Sequence, residues 1–256
     1  MSGTITLKDI SFGYEPYAQK KNIEPFLSVP FLSIPEKSTT AILGPNGSGK
    51  TTLLKLLSGI KNPWSGEITI SGKPLSSMTK KERARTISFV SQTAGIPDII
   101  TKNLVLHGRF PHTNSFFFQN YSKTDEKKAC EAMEKMNITQ LRNKNVRNLS
   151  AGQRQRAFIA MALAQDSPVL VLDEPFTFLD IREQLELSQK LKEIEKTVII
   201  VIHDITLALE LSDNIAVMEQ GRVRKFGSPE EILESKIIES VFGVTISKKE
   251  TISFSI

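Results

Sequence analysis

Gly44-Pro45-Asn46-Gly47-Ser48-Gly49-Lys50-Thr51 has the spacing G-x-x-x-x-G-K-[ST] and stands between two telling runs. Apolar Ala41-Ile42-Leu43 precedes it, and helix-forming Thr52-Leu53-Leu54 follows. Strand, glycine-rich turn and helix in that order build a cradle for phosphate. The glycines let successive backbone N–H groups converge on one anion without Cβ clashes. The helix adds the positive end of its dipole. Lys50 brings a mobile ammonium for the β- and γ-phosphates of a nucleotide, and the Thr51 hydroxyl suits Mg²⁺.

Outward from this loop, short β-branched runs alternate with longer helical patterns. Residues 39–43, 86–90, 169–172 and 197–202 read as strands, several of them apolar throughout. That is the pattern of parallel strands covered on both faces. Residues 49–58, 153–165, 182–194 and 205–211 read as helices. Strand then helix, repeated, predicts an α/β fold with a mainly parallel sheet. Residues 4–9 and 26–34 read as additional antiparallel strands, and a hairpin is expected around Gln220-Gly221, followed by short helices. From about 92 to 164 there is little strand signal. Ser122-x-x-Asp125 is a helix start, and Ala129, Ala132, Met133 and Met136 follow at helical spacing. This stretch reads as a helical subdomain inserted into the core.

Composition sets the bounds. The chain has 256 residues, 39% of them hydrophobic and 24% charged, which excludes a disordered or fibrous class. A single cysteine, Cys130, excludes an intrachain disulfide and disfavours a cysteine-based metal site. The N-terminal sequence lacks a basic start followed by an apolar run, so no signal peptide is expected. No apolar run approaches the ~20 residues of a membrane span. Net charge is 33 − 28 = +5, which suits phosphorylated ligands but also nucleic acid. The basic runs Lys80-Lys81-Glu82-Arg83 and Arg222-Val223-Arg224-Lys225 are interrupted by acids or apolar residues. They read as solvated faces, and no nucleic-acid partner is expected.

A second chemical element is Val169-Leu170-Val171-Leu172-Asp173-Glu174, an apolar strand ending in two carboxylates. In a parallel sheet such residues lie at the carboxyl edge, where ligands bind. Asp173 can hold Mg²⁺, and Glu174 can orient and deprotonate an attacking water. A third is Leu149-Ser150-Ala151-Gly152-Gln153, which opens the predicted helix to Gln165. Ser150 and the Gly152 backbone at a helix N-terminus suit an anion.

At this point the chain resembles the ATP-binding cassette (ABC) ATPases, whose signature is LSGGQ. The resemblance covers nearly the full length and keeps the family's order: the phosphate loop, Gln92, the signature, the acidic strand, Phe178-Leu179-Asp180, and His203-Asp204. It implies one ABC ATPase domain over residues 1–256, with ATP and Mg²⁺ as cofactors. The fold implied is a P-loop NTPase (RecA-like) core with an N-terminal antiparallel β-subdomain. Residues 1–92 and 165–256 form the core and its antiparallel part, and 93–164 the helical insertion.

The roles it implies follow residue by residue. Gly44 to Thr52 bind the phosphates, and Thr51, Gln92 and Asp173 serve the metal. Glu174, His203 and Gln92 are catalytic, with Gln92 on Mg²⁺ or the water and His203 on the γ-phosphate. Ser150, Gly152 and Gln153, with Asp180 at the interface, face ATP held by a second copy of the chain, so that two chains sandwich the nucleotide. Ala151 departs from the consensus glycine. Tyr14 is the candidate for stacking on adenine, with Tyr17 as its rival.

Two features narrow the subfamily. His107-Gly108-Arg109-Phe110-Pro111-His112, and Gly152-Gln153-Arg154-Gln155-Arg156-Ala157 running into Met161–Gln165, look like the ATPases of bacterial importers for iron–siderophore complexes, haem and vitamin B12. The partners implied are transmembrane permease subunits and an external substrate-binding protein. The place implied is the cytoplasmic face of the membrane, peripheral and held by the permease. An iron chelate is the expected cargo, with haem or vitamin B12 as alternatives. A soluble ABC ATPase uncoupled from transport is the reading from another class. The permease is expected to dock near Gly108 to His112, and charge reversal or bulky changes near Arg109 are expected to uncouple transport while sparing ATP binding.

Overall fold

The structure is a computed structural model that describes residues 5–15, 24–92, 95–113 and 121–246. In chain order the strands are β1 (Ile5–Phe12), β2 (Leu27–Ile34), β3 (Thr39–Leu43), β4 (Ser65–Ile70), β5 (Lys73–Pro74), β6 (Ile87–Val90), β7 (Val169–Asp173), β8 (Thr197–Val201), β9 (Asn214–Glu219) and β10 (Arg222–Gly227). The helices are α1 (Lys50–Leu57), α2 (Lys80–Thr86), α3 (Thr101–His107), α4 (Lys123–Lys135), α5 (Ala151–Ala164), α6 (Ile181–Lys192), α7 (Ile205–Leu211), α8 (Pro229–Glu234) and α9 (Ile237–Phe242). The chain divides into two compact units, one up to Thr79 and again from Glu195, the other Lys80–Ile194. The stretch 93–164, read from sequence as a helical insertion, lies within the second.

In the first unit β3 pairs in parallel with both β8 and β9. Ala41, Ile42 and Leu43 are wholly buried, as are Val198 to Val201 and Ile215 to Met218. These are the apolar runs expected of strands covered on both faces. The N-terminal part is antiparallel, with β1 between β2 and β4. Their buried positions alternate, as strands with one solvated face require.

The sequence reading ends the first strand at Asp9, but β1 continues to Phe12. Asp9 has φ 50° and its pairing with β4 shifts register between Lys8 and Ser11. The strand absorbs this bulge because Gly66 lies opposite: a Cβ there would collide with the carbonyl oxygens of Lys8 and Asp9. The β9–β10 hairpin turns at Gln220 (φ 46°) and Gly221 (φ 74°), the two positive angles of the turn that matches strand twist.

In the second unit β6 and β7 run parallel, Ile87 opposite Val169 and Val90 opposite Leu172. Thr86 closes α2 rather than opening β6. The helices start where capping chemistry dictates. Ser122 and Asp125 form a reciprocal capping box on α4, and Ser150 and Gln153 form one on α5. Asp180 caps α6 by accepting from the Glu183 N–H at 2.8 Å. The predicted α4 face is real: Ala129, Ala132, Met133 and Met136 are all buried.

The Gly108-to-His112 stretch clamps these helices together. A Cβ on Gly108 would collide with the Met161 carbonyl oxygen, so α3 ends hard against α5. The Arg109 guanidinium donates to Asp125 Oδ1 at 2.9 Å and to the Ala164 carbonyl at 2.7 Å. It thus joins the start of α4 to the end of α5. His112 Nε2 shares a hydrogen bond with the Gln165 carbonyl at 2.8 Å.

Arg109 is only 5% exposed, and its guanidinium is engaged within the unit. Its charge balances Asp125 inside the unit. The exposed residue of the stretch is Phe110, at 45%. Burial acts to raise the Asp125 carboxyl, but hydrogen bonds from Ser122 and Arg109 and the Arg109 charge together hold it below the ordinary carboxylate range.

Replacing Arg109 by leucine leaves Asp125 buried and uncompensated. The variant should lose about 3–5 kcal/mol of stability, read as a lower urea midpoint at neutral pH. In the wild type the carboxylate is depressed, so its contribution is present above the ordinary carboxylate pKa and fades as pH falls through the lowered value. A variant as stable as wild type at pH 7 contradicts this account.

Candidate functional site

The phosphate loop joins β3 to α1, and its shape follows from three constraints. Gly49 caps α1 with φ 98°, a conformation a β-carbon disfavours. Gly44 lies against the Met218 carbonyl, where a Cβ would collide. The hairpin turn supports the loop from outside: the Gly221 N–H donates to the Ser48 carbonyl at 3.0 Å. Phe26 and β2 hold that turn in place, since Ser28 N–H donates to the Gly221 carbonyl at 2.8 Å.

The side chains of the loop turn inward. Lys50 is buried, and its ammonium donates to the carbonyl oxygens of Gly44 at 2.8 Å and Pro45 at 3.0 Å. Ser48 is also buried, and among the described residues its Oγ has no hydrogen-bond partner. A buried hydroxyl without a partner costs free energy unless a ligand satisfies it. A phosphate oxygen at the helix N-terminus would supply that partner. Asn46 and Gly47 complete the loop, Asn46 exposed on its rim.

Tyr14 is tied to the same loop. Its hydroxyl shares a 2.7 Å hydrogen bond with Thr52 Oγ1 on α1. Phe12 and Phe26 pack edge-on against the ring, at 5.3 Å and 5.2 Å between centroids. The ring is nevertheless 62% exposed, with the Lys61 ammonium over it at 4.9 Å from the centroid. Gly13 is needed because Trp64 fills the space a side chain would take. Tyr17, the rival, lies outside the described residues.

In the second unit the acidic strand end meets Gln92. Gln92 Nε2 donates to Glu174 Oε2 at 2.5 Å, and Thr177 Oγ1 donates to the same oxygen at 3.3 Å. Glu174 has φ 52°, an uncommon angle for a residue with a side chain. Asp173, at the end of β7, is buried. A cavity of about 190 Å³ adjoins Gln92 and Glu174, walled by Ile96, Arg154, Phe158 and Phe178.

The signature lies at the start of α5. Ser150 Oγ accepts from the Gln153 N–H at 3.2 Å, and Gln153 Oε1 accepts from the Ser150 N–H at 3.3 Å. Asp180 uses its carboxylate on α6, and beside it Phe178 is 87% exposed with φ 66°. His203 follows β8 in the first unit and is exposed, while Asp204 caps α7.

The structure therefore brings Gly44, Lys50, Ser48, Thr52 and Tyr14 together in one unit. In the other it gathers Gln92 with Glu174, and Ser150 with Gly152 and Gln153. Two groups were missed by sequence reasoning. Thr177 holds the Glu174 carboxylate, and its signal was a hydroxyl three residues after an acid. Glu183 lies against Ser150 and Gly152, and its signal was its place in the first turn after the Asp180 cap.

The residues present fit Mg²⁺ brought in with a nucleotide. Among the described residues no three His, Cys, Asp or Glu side chains gather into a self-sufficient metal site. Thr51 offers a hydroxyl in the first unit and Asp173 a buried carboxylate in the second, each a single hard oxygen donor of the kind Mg²⁺ accepts.

Residues 28–177 match the ABC transporter family. The ferric enterobactin transport ATP-binding protein FepC of Escherichia coli (strain K12) is 36% identical over 242 residues, 93% of this chain and 86% of that protein. The iron(3+)-hydroxamate import ATP-binding protein FhuC of Bacillus subtilis (strain 168) is 37% identical over 218 residues, covering 83% and 80% of the two chains. Among solved structures, the dimeric structure of MJ0796, a bacterial ABC transporter cassette, superposes with a TM-score of 0.75 at 28% identity, over 88% of this chain and 98% of that one.

Proposed function

Because this chain belongs to the ABC transporter family, we propose that it is the ATP-hydrolysing subunit of an importer for a ferric siderophore. The observation that carries the nucleotide part is the phosphate loop, where the buried Lys50 ammonium rests on backbone carbonyls and the buried Ser48 hydroxyl has no hydrogen-bond partner among the described residues. Similarity to FepC and FhuC supports the cargo.

In this reading the Gly44–Thr51 loop takes the β- and γ-phosphates on its N–H groups, and Lys50 exchanges its two carbonyl partners for phosphate oxygens. Tyr14, held by Thr52, stacks on adenine. Thr51, Asp173 and Gln92 would hold Mg²⁺, which would offset the negative charge of the phosphates. Glu174 takes a proton from the attacking water. Its Oε2 accepts from Gln92, a hydrogen bond that orients the carboxylate. His203 steadies the γ-phosphate.

Each chain holds half of an ATP sandwich. Ser150, Gly152 and Gln153 serve the nucleotide of a second copy, with Asp180 lining the contact. The dimeric form of the MJ0796 cassette supports this arrangement. Among the described residues no helix is long and apolar enough to cross a membrane. The work of closure therefore passes to separate permease subunits, with the cassette held at their cytoplasmic face. An external binding protein delivers the cargo to the permease.

Replacing Glu174 by glutamine removes the proton acceptor and leaves Asp173 in place. Turnover should fall by at least about a hundredfold, and the protein should collect as an ATP-bound dimer on size exclusion. A variant that hydrolyses normally, or stays monomeric with ATP, contradicts both the base role and the sandwich.

A strain lacking this chain should fail to grow on a ferric siderophore as sole iron source and recover with excess inorganic iron. A defect confined to haem or vitamin B12 use reassigns the cargo. Normal growth on every such source overturns the importer reading and leaves the soluble ATPase.

A further inference from the structure

Glu183 makes a contact that helix capping does not call for. Its backbone N–H donates to Asp180, placing it at the third position of α6. An acid there commonly turns back to the cap's own N–H, as Asp125 does on α4 and Glu231 on α8. The Glu183 side chain crosses to α5 instead. Ser150 Oγ donates to Glu183 Oε1 at 3.4 Å. A Cβ on Gly152 would collide with Glu183 Cδ and Oε1, and both carboxylate oxygens lie against the Gly152 backbone. An intramolecular carboxylate thus covers the first turn of a 14-residue helix, where a negative charge is favoured.

We propose that Glu183 is an internal competitor for the signature: its carboxylate occupies the Ser150–Gly152 surface in the single chain, and the γ-phosphate of ATP on a second copy must displace it. This rests on the ATP-sandwich reading above and adds a specificity-determining residue to it. The chemistry of the two occupants is alike. Each presents anionic oxygens to the Ser150 hydroxyl and the same helix end, and the two cannot share that space. Like charges brought together at an interface are costly. The consequence is a threshold. ATP must outcompete Glu183 before two chains close, which suppresses closure when nucleotide is scarce. Gly152 is the residue that admits either occupant, because it leaves the helix turn bare.

The test uses the full chain in the Glu174→Gln background, where ATP-bound dimer collects. The concentration of MgATP that converts half the protein to dimer is read by light scattering, with and without Glu183→Gln. The amide keeps the size of the side chain and removes its charge. Glu183→Ser is the second variant, and thermal melting without nucleotide checks that each is folded. The inference expects the MgATP requirement to fall on the order of tenfold in both variants. A merely structural role for Glu183 moves it the other way, since a loosened signature binds worse. An unchanged or raised requirement overturns the inference while leaving the sandwich intact. A Glu174→Gln parent that never dimerises with MgATP overturns the sandwich, and this inference with it.

Discussion

The ammonium of Lys50, buried and resting on the carbonyl oxygens of Gly44 and Pro45, is the interaction on which the reading of this protein depends. A charge is costly to bury without partners. Here the backbone supplies two acceptors, which in the proposed function give way to the phosphates of a nucleotide. The Ser48 hydroxyl adds the same demand from the donor side. The loop stays concave because its neighbours leave it no alternative: Gly44 lies under the Met218 carbonyl, and the Gly221 turn holds Ser48 from outside. The β9–β10 hairpin is therefore part of the site's support, far away in sequence.

The second unit obeys a different economy. Its helices start at side-chain caps, and the same capping residues are the ones with chemistry to perform. Ser150 both starts α5 and presents its hydroxyl to an anion. Asp180 both starts α6 and precedes the residue that reaches back to α5. A cap fixes a hydroxyl or carboxylate at low entropic cost, so a cap is a good place to position a recognition group. Conversely, the buried Arg109–Asp125 pair shows that a charged motif in such a unit can be wholly devoted to architecture.

What was legible in the sequence follows from how local each signal is. The phosphate loop, the apolar parallel strands, the Ser122 and Ser150 caps and the Gln220-Gly221 turn are each decided within a few residues, and the structure has them all. The second half of β1 was hidden because Asp9 breaks the alternation, and the strand survives only through Gly66 opposite. β4 was missed because its first half, Ser65-Gly66-Glu67, is polar and exposed. The burial of Arg109 was not legible, because its partner Asp125 lies 16 residues on. Glu183 reaches from α6 to α5, a tertiary contact that no periodicity announces, whereas Thr177 holds a carboxylate only three residues before it.

The most direct measurement is phosphate release from MgATP by the purified chain and by its Lys50→Ala variant, with melting curves to show both folded. The account predicts steady release by the wild type and a loss of at least about a hundredfold in the variant. Comparable release by the two proteins contradicts it, because the loop would then hold its ammonium for architecture alone.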